Sequence, residues 1–241
     1  MLTLAIETSN PSAAPGAAKG LGPGCALGEL GPGVEPRVID SEPLRPTTRH
    51  DDDLMPCIDR LCRRAGVTPP QIRCIAVSVG PGGYTALRVA VATAKLIAES
   101  SGAKTIAVPT AAAVALATPR SDTRPFAVAL AGKSDSSFIT LFDHSWPGDP
   151  AQPLNLPDGR LVAAEGLAAL GIGTLIADEH LPATLREQAT RLGITILPPV
   201  FSPAALLQTA ARLPAIDPVE LLPLYAREPE AVTLWRQRGS R

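Results

Sequence analysis

The sequence predicts an α/β protein of two domains, each a mixed central sheet flanked by helices. Three observations lead there. Residues 74–108 hold an apolar strand, a Gly-Pro-Gly-Gly turn, a long apolar helix and a second strand. The first half as a whole reads in the order three strands, helix, strand, helix, strand. The chain has 241 residues, enough for two modest domains, and its second half again alternates short strands with helices.

Each element follows from local pattern. Residues 2–7 form a first strand. Residues 11–24 are rich in Pro, Gly and Ala, hold little that a core needs, and read as an exposed hairpin loop. Residues 25–30 and 38–41 are strands two and three, joined through Gly31-Pro32-Gly33. A helix over 50–65 begins at His50, with Asp51, Asp52 and Asp53 favoured by the helix dipole, and stops at Gly66 after Arg63 and Arg64. The strand around 75–79 leads through Gly80-Pro81-Gly82-Gly83 into a helix that runs to Ser101, and residues 104–108 close the half. In the second half, 126–130 and 138–142 pair as a hairpin. Helices are expected near 163–170, 181–192 and 204–212, with short strands at 174–177 and 195–197. Three strands, helix, strand, helix, strand is the order of a ribonuclease-H-like unit, which the actin-like ATPases carry twice. No direct repetition links the two halves of this sequence, so the duplication is an expectation from fold analogy. The expected domains are 1–101 and 102–214, with a tail over 215–241 returning to the first.

Composition narrows the function. The formal net charge is −1, so no basic field attracts nucleic acid and no polybasic stretch suggests a membrane surface. Apolar runs are broken before a membrane span is complete, and the N-terminal run is too short for a secretory leader. A cytoplasmic protein is the expectation. Cys25, Cys57, Cys62 and Cys74 form no Cys-x-x-Cys pair and read as buried reduced thiols.

The candidate chemistry lies in two loops. Glu7-Thr8-Ser9 ends the first strand, where actin-like nucleotide enzymes carry an Asp followed by glycine and hydroxyl residues. With Glu and no glycine, an ordinary strand end with local side-chain to backbone hydrogen bonds is the favoured reading. Gly80, Gly82 and Gly83 open a helix, which suits either an anion or tight strand-to-helix packing; the turn lacks a Gly-Lys-Ser/Thr ending. Together, Glu7, Thr8, Ser9, Gly80, Gly82 and Gly83 outline a degenerate phosphate loop. Three adjacent Asp on a helix point in different directions and cannot all ligate one ion, and His144 and His180 have no ligand-spaced neighbours. No metal site and no nucleophile elbow is expected.

Two apolar stripes stand out. Leu54, Ile58, Leu61 and Ala65 share one helix face, and Leu87, Val91, Ala94 and Ala98 share another, with Tyr84 opening that second helix. Val89, Ala90, Leu96 and Ile97 make the second helix apolar nearly all round, which asks for burial on nearly all sides. One stripe must pack on the sheet. Together they suggest a partner surface as well as a core.

These residues carry a resemblance to the TsaB (YeaZ) family. Gly80-Pro81-Gly82-Gly83-Tyr84-Thr85-Ala86-Leu87-Arg88 with Ala92-Thr93-Ala94-Lys95 resembles the family's Gly-Pro-Gly-Ser-Phe-Thr-Gly-Leu-Arg and Ala-Thr-Ala-Lys. His50 with Leu54-Met55-Pro56 resembles the start of its first helix, and Pro223-Leu224-Tyr225-Ala226-Arg227 its C-terminal Pro-x-Tyr-Leu-Arg segment. The resemblance covers mainly residues 6–117. It implies a non-catalytic scaffold for N6-threonylcarbamoyladenosine formation at position 37 of tRNAs reading ANN codons. The implied partners are the catalytic subunit TsaD, met through the first two helices, and the ATPase TsaE. A homodimer is implied in their absence, and contact with tRNA is indirect. No cofactor is implied beyond weak ATP or ADP binding. TsaD carries a His-x-x-x-His metal pair after its fifth strand, where this chain has Thr110 and Val114. An independent actin-like ATPase, kinase or peptidase is the alternative. The chain departs from the family at Glu7, in the long 11–24 loop, at Ala131-Gly132-Lys133 in place of Asp-Ala-Arg, and at Ala177-Asp178-Glu179 in place of Gly-x-Gly.

Overall fold

The computed structural model describes residues 1–10, 21–31, 34–45, 53–227 and 235. His50, Asp51, Asp52, most of the 11–24 loop and the chain beyond Arg227 except Trp235 lie outside them. The first sheet contains β1 (Leu2–Glu7), β2 (Gly24–Gly31), β3 (Val34–Pro43), β4 (Cys74–Gly80) and β5 (Lys104–Pro109), in the order β3-β2-β1-β4-β5. β1–β2 and β2–β3 are antiparallel, whereas β1–β4 and β4–β5 are parallel. The second sheet contains β6 (Phe126–Lys133), β7 (Ser136–Phe142), β8 (Gly159–Ala163), β9 (Thr174–Ala177) and β10 (Thr195–Leu197), in the order β10-β9-β6-β7-β8. β6–β7 and β7–β8 are antiparallel, and β6–β9 and β9–β10 parallel. Both sheets therefore run hairpin, hairpin, crossover, crossover. The duplication invisible in the sequence is explicit in the topology.

Strand alternation sets the layers. Leu4, Ile6, Ile75, Val77 and Val79 face one side of the first sheet, under α1 (Leu54–Ala65) and α2 (Tyr84–Ser101). Ala5, Ala26, Cys74 and Ala76 face the other, where short side chains let α5 (Pro203–Ala210) lie close. α3 (Thr110–Ala117) is buried along Thr110–Ala115 and joins Phe126, Val128 and Phe142 of the second sheet in a further apolar cluster. A helix between two sheets needs apolar residues all round, which explains its run of alanines. The far face of the second sheet packs under α4 (Ala183–Arg191), with Leu185 and Ala189 buried.

Several expectations shift. The domain boundary expected after residue 101 falls too early, because β5 pairs with β4 in the first sheet. α5, expected within the second domain, packs on the first sheet instead. The helix expected over 163–170 is replaced by β8, which ends at Ala163, and two short 3-10 turns, because residues 159–163 pair with β7. The segment after α5 returns to the first domain: Ile216 pairs antiparallel with Thr105 at the edge of β5, and Leu221 is buried under α2. Among the described residues, no helix is long and apolar enough to cross a membrane.

Candidate functional site

The end of β1 meets the start of α2 at a tightly packed corner. Glu7 is buried, and its Oε1 accepts the Ser9 N–H at 2.8 Å and the Ser9 hydroxyl. Ser78, which shares a 2.7 Å hydroxyl hydrogen bond with Thr110, also bonds the Glu7 carboxylate. Burial pushes the Glu7 carboxyl up from the usual carboxylate range, against the hydrogen bonds from Ser9 and Ser78. Thr8 donates its hydroxyl to the Ala86 carbonyl at 3.3 Å. The Gly83 N–H is taken by the Ser9 carbonyl at 2.7 Å, and a Cβ on Gly82 would lie 2.2 Å from that same oxygen. Gly80 sits at φ +110°, and a Cβ there would meet the Leu224 carbonyl at 2.6 Å. The glycines of this turn admit backbone from β1 and from the C-terminal segment. Close packing is the use the structure makes of them.

Across from this corner the second domain presents the β6–β7 turn and the loop after β9. Asn10 donates from Nδ2 to the Asp178 carboxylate at 3.1 Å, bridging the domains. Asp178 also accepts the His180 N–H at 3.0 Å, and burial raises its pKa. Two recesses of about 400 and 180 Å³ flank this bridge and share Asn10, Asp178 and Phe201. Ser9, Gly82, Gly83, Ala131, Gly132 and His180 line the smaller one. A Cβ on Gly132 would lie 2.2 Å from the His180 carbonyl, so this glycine also serves contact between loops. The recesses offer carboxylates at Asp178 and Glu179, with Arg186 on the wall of the larger.

The start of α3 holds Thr110 fully buried against Ser78, and Val114 buried in the apolar cluster between the sheets. A hydroxyl already paired and an isopropyl group provide no imidazole-type ligand. Among the described residues, no group of three or more His, Cys, Asp or Glu is placed to hold a metal ion.

The helical stripes lie elsewhere than a partner surface requires. Leu54, Ile58, Leu61, Leu87, Val91, Ala94 and Ala98 are all buried in the isolated chain, and Ala65 packs partly against the same core. Both stripes are core. Of the expected interface set only Tyr84 is well exposed, at 48%. The outward faces of α1 and α2 instead carry Met55, Pro56, Asp59, Arg88, Ala92 and Leu96, with Leu96 71% exposed. Asp53 precedes α1 without a side-chain cap bond; its carboxylate takes the Arg45 N–H at 2.7 Å and Arg60 at 2.9 and 2.8 Å. Arg60 also reaches Glu42 on β3 at 2.7 Å, and Arg64 pairs with Glu42 and Asp40. The Arg60 hydrogen bonds hold Asp53 below the usual carboxylate range, against its burial. Sequence reading missed this network, since β3 and α1 register is a tertiary matter. The Asn10–Asp178 bridge likewise had no sequence signal.

Two five-stranded sheets of identical connectivity, meeting at a cleft lined by the end of β1 and the β6–β7 turn, define an actin-like protein of the ribonuclease-H-like class. The sequence model of the family described as TsaD, tRNA N6-adenosine threonylcarbamoyltransferase, matches residues 38–141, less than half of the chain. A solved structure of a Pseudomonas aeruginosa protein described as similar to peptidase YeaZ superposes with a TM-score of 0.65 at 20% identity, covering 94% of this chain and 99% of its own. YeaZ from Pseudomonas aeruginosa superposes with a TM-score of 0.63 at 19% identity, over 93% of this chain and 99% of its own. No functionally curated protein sequence matches the chain. The structural neighbours are thus YeaZ proteins, consistent with the resemblance read from the sequence. At this identity they establish the fold across nearly the whole chain.

Proposed function

We infer that this chain is a TsaB-type scaffold subunit. It acts in the cytoplasm, binding and supporting a TsaD-like catalytic subunit that forms N6-threonylcarbamoyladenosine at position 37 of tRNAs reading ANN codons. The observation that carries the reading is the start of α3. Where the catalytic relative places a His-x-x-x-His pair, this chain has Thr110 and Val114, both buried and already packed. The corner at Glu7 adds to it: its turn amide at Gly83 is spent on Ser9 rather than left open for a phosphate. In this reading the chain binds ATP or ADP weakly at most, and tRNA meets it only through its partner.

The docking surface is the outward side of α1 and α2, centred on Met55, Tyr84, Ala92 and Leu96. Two helices side by side offer a partner's helix pair a four-helix contact, of the order of 1,200–2,000 Å² in a stable complex. The same face serves a homodimer when the partner is missing, and TsaE joins the assembled pair. The test is co-purification and titration with TsaD from the source cell. Leu96→Glu is expected to weaken binding about thirtyfold or more while the monomer stays folded. Unchanged affinity in a folded Leu96→Glu protein rules this surface out.

A further inference from the structure

The segment 221–227 crosses from the first domain to the second, and every described contact along it is specific. Leu221 is fully buried in the core under α2. The Leu224 N–H bonds the Val79 carbonyl at 2.7 Å, and the Leu224 carbonyl and Leu87 Cδ1 stand 2.6 and 2.7 Å from where a Cβ on Gly80 would lie. The Tyr225 ring lies on Tyr84 with centroids 5.0 Å apart. Arg227 then leaves the first domain. Its guanidinium donates to the Ala131 carbonyl at 2.7 Å, to the Lys133 carbonyl at 3.2 Å, and to the Ser136 carbonyl and hydroxyl at 2.8 and 2.9 Å. These acceptors sit around one tight turn, in which Ala131 and Ser134 hold φ of +52° and +55° without being glycine. Among the described residues no carboxylate pairs with Arg227. Its partners are three backbone carbonyls and one hydroxyl of that turn.

The same turn faces the interdomain cleft. Ala131 and Gly132 line it, and Gly132 touches the backbone of His180, two residues beyond the Asp178 that Asn10 holds. Around the cleft the domains are tied by Asn10–Asp178 at its mouth and by Arg227 behind the turn, while the buried α3 cluster and the Arg212 hydrogen bonds to the Asp149 and Gln152 carbonyls join them at the far side. The Arg227 tie belongs to a segment whose Leu221 and Tyr225 contacts lie on the first domain, and whose Leu224 lines a recess shared with Phe138, Thr140 and Phe142 of the second.

We propose that residues 221–227 are an interdomain strap, with Arg227 as its catch, that sets how far the cleft opens. Releasing Arg227 frees the β6–β7 turn and leaves Asn10–Asp178 as the remaining tie at the cleft. The strap meets the proposed partner face only through Tyr225 on Tyr84, and its test reads this chain alone.

The experiment uses the full chain with spin labels on Arg73→Cys, just before β4, and Thr184→Cys in α4, both exposed and away from the proposed partner face; the native cysteines are buried. In Arg227→Ala the distance distribution between labels is expected to broaden and shift outward. Amide exchange over 131–136 is expected to rise about tenfold or more, while β1 and β4 keep their protection. Faster exchange with an unchanged distance distribution overturns the strap, since Arg227 would then only staple its turn; no change in either overturns it as well. Should Arg227→Ala fold poorly, Arg227→Gln, which keeps the stem and loses the fork, is read in the same way. The wild type alone supplies a further check: across a urea series the Leu224 amide and those of 131–136 should open together, and independent opening counts against the strap.

Discussion

Glu7 is a carboxyl that the fold works against. Its burial raises the folded-state pKa above the ordinary value of 4.5. The folded state then holds a proton that the unfolded state has released, so stability falls as pH rises from about 4.5 through the raised pKa. Glu7→Gln keeps an oxygen for the Ser9 N–H and removes the charge. Urea midpoints over pH 4–8 should show the variant gaining on the wild type as pH rises. Parallel curves would mean the carboxyl is unshifted. Gly82 makes a second residue-scale case. A methyl group there would stand 2.2 Å from the Ser9 carbonyl, which is backbone and moves only with its strand. Gly82→Ala should cost about 1–3 kcal/mol in equilibrium unfolding. The sequence showed a glycine turn and left anion binding and close packing open. Only the position of Ser9 decides between them.

The two long helices show how pattern and placement differ. Periodicity correctly marks Leu54, Ile58 and Leu61, and Leu87, Val91, Ala94 and Ala98, as buried faces. What it could not show is how much sheet lies beneath. Five strands at ~4.8 Å spacing span about 19 Å, and packed helices sit about 8–10 Å apart, so one face takes two helices. Both stripes are consumed there, and none is left for a partner. The contrast is measurable. Ala94→Glu places a charge in a fully buried position and should cost about 3 kcal/mol or more. Leu96→Glu, two residues on and 71% exposed, should change unfolding stability by no more than about 0.5 kcal/mol. Equal losses would mean that α2 is turned differently on its sheet.

At the scale of the molecule, two equivalent sheets enclose a cleft whose phosphate-side loops are occupied by their own backbone. On the scaffold reading proposed above, magnesium-ATP should stabilise the protein little. Ligand at 100 times its dissociation constant would add about 2.7 kcal/mol, and each kcal/mol moves the melting temperature of a protein this size by about 2–4 °C. We expect a shift below about 1 °C at millimolar magnesium-ATP, within the error of a simple melt. A shift of several degrees, together with steady hydrolysis lost in Glu7→Ala, would support the independent ATPase instead.

The sequence by itself determined the elements that depend on near neighbours. The strand–turn–helix unit at residues 74–101, the order of the first half and the β6–β7 hairpin are written in spacing, glycine and apolar period. The double-sheet architecture followed from that order by analogy. Tertiary structure alone decided what depends on distant partners. It assigned β5 to the first sheet and α5 to the face opposite α1 and α2. It turned both helical stripes inward, and it placed Arg227 on a turn some ninety residues earlier in the chain. Local pattern records that a face must be buried or a turn must be tight. Which surface does the burying, and which backbone fills the space beside a glycine, is set by how the sheets come together.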